Sequence, residues 1–405
     1  MLTSRQSVFS VRHILRRLRR RPELPEAARA AAREDAAGLP ERDVGVERFC
    51  AEAVAWLGRA QDCSASADGG FARDYSLVGG WATSYPETTG YIVPTLLDYA
   101  RIKKSDEVRA RARKALDWLS SIQLRDGGFQ GGRIDAKPVV PVTFNTGQIL
   151  LGLVAGHREF GSYGDAMTRA ADWLVRTQDP DGCWRKFPTP FAAPGEKAYE
   201  THVSWGLFEA ERILPGRGYG EAGLRQVRWA LAWQRENGWI DKCCLSDPRR
   251  PLTHTLGYAL RGIVEAYRLS EDEIFLDAAR RTADGLLKAL GGGGFLPGRL
   301  ASNWRGAVSW ACLTGTVQIA HSWLMLYDYV GDVRYRDAGF LANRYVRRTV
   351  STDAPPEIRG GVKGSFPIDG DYGRYEYLNW AAKFAVDANL VEQAVRDREA
   401  LDLPR

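Results

Sequence analysis

Two of the five histidines in this 405-residue chain open strongly apolar runs, in Tyr199-Glu200-Thr201-His202 and Leu252-Thr253-His254-Thr255. Comparable polar lead-ins precede other apolar runs: Tyr85-Pro86-Glu87-Thr88-Thr89, Thr143-Phe144-Asn145-Thr146 and Thr314-Gly315-Thr316-Val317-Gln318. A sixth place crowds Asp369, Asp371, Tyr372, Arg374, Tyr375, Glu376 and Asn379 together. Histidine exchanges protons near neutral pH. Two carboxyls flanking a bond serve glycoside hydrolysis, and a base beside an Arg or Asn serves proton abstraction next to a carboxylate. The catalytic candidates are therefore Glu200, His202, His254, Asn145, Glu376 and Tyr375. Glu87, Arg133, Trp304, Arg374, Asp371, Asn379 and Gln318 are the substrate-binding candidates. Helix capping accounts for the threonines Thr88, Thr143, Thr253 and Thr314. It does not call for Glu200 with His202, for His254, or for Glu376 with Asn379.

The elements that must position these residues are written in a repeat. A helical run carries Trp, then Gln five residues later, then a Gly-rich turn closed by an aromatic: Trp56…Gln61 with Gly70-Phe71, Trp118…Gln123 with Gly128-Phe129, Trp173…Gln178 with Cys183-Trp184, and Trp229…Gln234 with Gly238-Trp239. Worn copies run from Gly285 to Leu290 and from Tyr345 to Val350. The Gln, or the residue in its place, stands at 61, 123, 178, 234, 290 and 350 in the six copies. A fixed period of this size means one supersecondary unit copied along the chain. Each unit reads as an amphipathic helix, a loop, and a second helix apolar on most of its circumference, the pattern of burial on several sides. Six such hairpins predict an all-α (α/α)6 toroid spanning 45–395, with the second helices inside and the polar lead-ins gathered at one mouth.

The Gln…Asp-Gly-Gly-Phe and Gln…Asp-Gly-x-Trp phrases resemble the QW-type repeats of the terpenoid cyclase and protein prenyltransferase superfamily. That resemblance implies a toroid from about 50 to 390, and it implies an isoprenoid substrate as one possible function. The cyclase Asp-x-Asp-Asp motif and the Asp-Asp-x-x-Asp motif are absent; Asp369-Gly370-Asp371 is only a fragment. The zinc-binding pattern of the prenyltransferases has a compressed echo in Asp241, Cys243 and His254, at a spacing far shorter than the family's. Neither a metal nor a cofactor is expected.

The net charge of +6 concentrates partly in residues 1–44, a basic amphipathic segment and linker in which Arg12, Arg16, Arg17, Arg19, Arg20 and Arg21 alternate with apolar residues. Such a helix can lie on an anionic membrane surface; a solvated extension is the other reading. No secretory apolar stretch follows it, and the six scattered cysteines read as reduced thiols. The expected location is the cytoplasm, with room for peripheral contact at the inner membrane face. No nucleic-acid partner is expected.

The loops leading to the mouth hold many basic residues, among them Arg73, Arg133, Arg299 and Arg374, beside Trp81, Phe187, Trp304 and Trp310. Positive charge beside flat apolar surfaces predicts an anionic saccharide as ligand. The leading expectation is a carbohydrate-active enzyme acting on a uronate-type saccharide by lyase, epimerase or hydrolase chemistry, in glycan assembly. The alternatives are an isoprenoid enzyme and a non-catalytic glycan-binding toroid.

Overall fold

A computed structural model describes residues 24–402; the basic run from Arg5 to Arg21 lies outside them. After a peripheral helix α1 (Glu26–Ala36), six outer helices alternate with six inner ones. The outer helices are α2 (Val46–Asp62), α4 (Asp106–Ile122), α6 (Gly164–Thr177), α8 (Tyr219–Leu231), α10 (Glu273–Ala289) and α12 (Val333–Arg348). The inner helices are α3 (Pro86–Lys103), α5 (Thr143–Phe160), α7 (Thr201–Ile213), α9 (Thr253–Ser270), α11 (Leu313–Val330) and α13 (Asn379–Asp402).

Local chemistry sets the boundaries. Ser105, Asp272 and Asp332 cap α4, α10 and α12 by accepting backbone N–H bonds, which satisfies donors that have no intrahelical partner. Helices α3, α5, α9 and α11 end on residues in the left-handed conformation, Lys104, Gly161, Glu271 and Gly331. The chain thus turns tightly from each of these inner helices into the following outer one. The outer helices bury one stripe, as Val108, Ala112, Ala115, Leu116 and Leu119 do in α4. The inner helices are buried almost all round over their first three turns.

Consecutive inner helices pack side by side, and α13 packs on α3, so the ring closes. A Cβ at Gly90 of α3 would stand 2.4 Å from the Ile149 Cα of α5. Glycine is what lets these two backbones touch. The sequence pattern placed each outer helix in one unit with the inner helix after it. In three dimensions the tight hairpins are inner followed by outer, and α13 takes its outer partner, α2, from the start of the ring.

The repeated Gln is a splice between units. Gln61 Nε2 donates to Gly69 O (3.0 Å) in its own turn and to Arg111 O (3.1 Å) in the next outer helix. Gln123 and Gln178 repeat the arrangement on Gly127 and Ala166, and on Gly182 and Ala222.

Long connections from outer to inner helices form the mouth. Strand β1 (Asp74–Ser76) pairs antiparallel with β2 (Gly80–Trp81) and, from the last connection, with β5 (Glu376–Leu378), Tyr75 facing Tyr377. Strands β3 (Ala311–Cys312) and β4 (Ser365–Phe366) join the fifth and sixth connections. Residues 24–44 do not hang free of the ring: Lys363 pairs with the buried Asp35, and Arg347 with Asp43 at 2.8 Å.

Candidate functional site

The inner helices begin at the mouth, and half of their second and sixth residues, which lie one turn apart, line a cavity there. Second positions are Glu87, Phe144, His202, His254, Thr314 and Trp380; sixth positions are Tyr91, Gln148, Gly206, Tyr258, Gln318 and Phe384. Glu87, Phe144, His254, Trp380, Tyr91 and Tyr258 line a cavity of about 510 Å³, together with Arg73, Tyr85, Arg133, Phe191, Tyr199 and Tyr372 from the connections. Aromatic walls with a few polar groups suit a small organic ligand, and phenol rings offer both a flat face and a hydroxyl.

His254 is held by a neighbouring helix. Its Nδ1 lies 2.8 Å from Gln318 Oε1. A carbonyl oxygen only accepts, so Nδ1 carries the hydrogen and Nε2 keeps a free lone pair. Burial lowers the affinity of this imidazole for a second proton, to a pKa of about 4, because a charged ring loses hydration there. The reverse holds for Glu87: burial raises its carboxyl to about 8, against the pull of the Tyr85 hydroxyl and the Arg73 charge. At neutral pH the cavity therefore presents a neutral acid and a neutral base.

Of the candidates read from sequence, Glu87, Arg133 and His254 come together at this cavity. Gln318 reaches it by orienting His254. His202 lies beneath the floor: its Nδ1 meets Gln148 Oε1 at 2.7 Å, and its ring packs on Tyr258 and Trp205 at centroid distances of 4.5 and 5.3 Å. Asn145 and Glu200 are buried in the barrel wall outside the cavity lining. Burial also raises the Glu200 carboxyl to about 8, with Lys197 opposing. Glu376 pairs with Arg73 at 3.1 Å, and Arg73 also holds the buried Asp74.

Other candidates stand elsewhere. Asn379 stitches the ring shut, donating to Ala72 O and Thr88 Oγ1, each at 2.8 Å. Tyr375 is buried in the sixth connection with φ of 61°, beneath the exposed Arg374. Asp371 is 85% exposed, 3.9 Å from Arg299. Trp304 is scaffold and not a groove residue: it is buried against Trp239 and donates to Asn237 O at 2.9 Å. Its indole fills the space that the missing fifth-repeat Trp leaves at Gly285, where a Cβ would stand 2.1 Å from the ring. Asp241, Cys243 and His254 do not converge as ligands. Asp241 pairs with Arg235, Cys243 donates to Thr255 O, and no group of three such side chains able to hold a metal occurs among the described residues. The basic excess expected at the mouth also disappears over the whole connections, where acidic and basic residues are equally numerous.

Sequence reasoning passed over Tyr85, Tyr91, Phe144, Tyr199, Tyr258 and Trp380. It read only the polar residues at each helix start. Tyr85 and Tyr199 stand just before their inner helices, Phe144 and Trp380 are second residues, and Tyr91 and Tyr258 lie one turn further in, at the sixth position.

No helix among the described residues is long and apolar enough to cross a membrane. No family model matches the sequence, and no curated protein matches it. Solved structures do. An unsaturated glucuronyl hydrolase specific for heparin superposes with a TM-score of 0.70 at 15% identity, over 87% of this chain and 98% of its own. A second such hydrolase, from a Bacillus species and responsible for glycosaminoglycan degradation, gives 0.68 at 13%, over 85% and 96%. Cellobiose 2-epimerase from Bacillus thermoamylovorans gives 0.67 at 11%, over 90% and 100%. The common fold is the toroid.

Proposed function

We propose that the cavity binds an acidic saccharide and performs acid–base chemistry at the carbon bearing its carboxylate, as a lyase or epimerase. The observation that carries this reading is the pairing of Glu87 and His254 in one cavity, both neutral at neutral pH. His254 Nε2 takes the proton from that carbon. Glu87 hydrogen-bonds the charge that develops, and Arg133, paired with Asp135 at 3.6 Å where both side chains are half exposed, exchanges that partner for the carboxylate. Tyrosines account for five of the eight aromatic wall residues. Their hydroxyls suit a sugar better than a hydrocarbon, which argues against the isoprenoid reading. The glucuronyl substrates in the names of several structural neighbours agree with a uronate.

Those same neighbours favour a second reading, hydrolysis. It needs an ionised carboxylate opposite the protonated one. Glu87 is the only carboxyl among the cavity-lining residues, so Glu376, reached through Arg73, would have to supply it.

Calorimetric titration with a glucuronate-terminated disaccharide and its glucose analogue tests the ligand class. The acidic sugar should bind, and Arg133→Met should weaken it about tenfold, as expected for one charge-assisted contact of about 1.4 kcal/mol. Equal binding of the neutral sugar would remove the uronate from the proposal.

A further inference from the structure

One phenol at the cavity is fixed from three sides. Ser365 Oγ donates to the Tyr372 carbonyl at 2.7 Å and accepts from its amide at 3.2 Å. The indole N–H of Trp380 donates to the Tyr372 hydroxyl oxygen at 2.8 Å. The Tyr372 ring lies 5.3 Å from that of His254, tilted by 50°. A hydroxyl that already accepts from the indole directs its own hydrogen elsewhere, and this residue lines the cavity. The Arg73 guanidinium stands over the same indole, 5.1 Å from its centroid. A donor on the phenol oxygen stabilises the negative charge that appears there when the proton leaves.

We propose that Tyr372 is the proton donor of the reaction, held to its task by Trp380 as a positioning residue. This rests on the acid–base reading of the cavity given above. His254 Nε2 takes the hydrogen from the carbon bearing the carboxylate, and the C–H electron pair stays with the substrate. In elimination that pair becomes a C=C bond as the neighbouring C–O bond breaks, and the Tyr372 hydroxyl protonates the departing oxygen. The proton held on His254 then returns the phenolate to phenol, so the cycle consumes no outside reagent.

The experiment uses the full chain in 2H2O with glucuronate-terminated oligosaccharides, following hydrogen exchange beside the carboxylate and product formation by NMR. In Tyr372→Phe, exchange should persist because His254 is intact, while product formation falls by about 100-fold or more, the usual range for loss of a general acid. Trp380→Phe should lower kcat about tenfold with KM within twofold, whereas a merely structural indole would change both or neither. Product at the wild-type rate in Tyr372→Phe would overturn the assignment and leave the acid–base reading standing. Absence of both exchange and product in the wild-type protein would overturn both.

Discussion

Gln318 on α11 accepts the Nδ1 hydrogen of His254 on α9 at 2.8 Å, and so fixes which nitrogen of the ring is basic. His202 on α7 is held in the same way by Gln148 on α5, at 2.7 Å. The two pairs differ in what lies above them. His254 reaches the cavity, while Tyr258 covers His202. Gln318→Met keeps the volume and removes the acceptor. We expect kcat to fall by about tenfold or more with the unfolding midpoint little changed, since the net contribution of one buried hydrogen bond is about 1 kcal/mol. Steady-state kinetics beside denaturant titration checks this, and His202→Asn should affect stability more than turnover.

Stability should depend on pH through Glu87. Its folded pKa is raised from 4.5 to about 8. Between those values the folded state holds a proton that the unfolded state has released, so this contribution is complete below 4.5 and is lost as pH rises toward 8. Glu200 acts in the same direction. His254, lowered from 6.5 to about 4, acts oppositely and costs stability as pH falls below 6.5. Glu87→Gln should flatten the alkaline decline, with the variant melting a few degrees above the wild type at pH 8 and the two converging near pH 4.5. Thermal unfolding across this range reads the slope directly.

Trp304 should prove to be a structural residue. Trp304→Ala leaves a void beside Gly285 and Trp239 and should cost about 3–5 kcal/mol. Substrate affinity in the folded fraction should not change. Gly285→Ala should also destabilise, because its Cβ would meet the indole.

The repeat makes a prediction about cooperativity between units. Gln61→Leu deletes three hydrogen bonds, the two its amide donates to Gly69 O and Arg111 O and the one its Oε1 accepts from the Arg111 guanidinium, and should cost about 1–3 kcal/mol. Urea titration at constant m-value checks that the loss is in stability and not in compactness.

The toroid was legible because its scaffold repeats: Trp and Gln recur at one spacing, and the outer helices keep a single buried stripe. The mouth was legible as an address, since polar residues open each inner helix. Which of them face the cavity was not, because position along a helix fixes depth and direction only once the helices are placed around an axis. His202 and His254 occupy the same position in adjacent inner helices, yet only His254 is uncovered. Trp304 misled for a different reason. Its partner is the absence of a side chain at Gly285, and a missing residue leaves no mark that spacing alone can connect to a distant loop.

The most direct test of the central claim is the pH dependence of kcat/KM on a glucuronate-terminated oligosaccharide, in the wild-type protein and in Glu87→Gln. A neutral acid and a neutral base sharing one cavity predict a bell that rises as His254 loses its proton near pH 4 and falls as Glu87 loses its own near pH 8. Glutamine at position 87 should remove the alkaline fall, with reduced turnover persisting. A wild-type profile that stays flat through pH 8, or an alkaline limb that survives in Glu87→Gln, would contradict the assignment of this cavity as the reacting site.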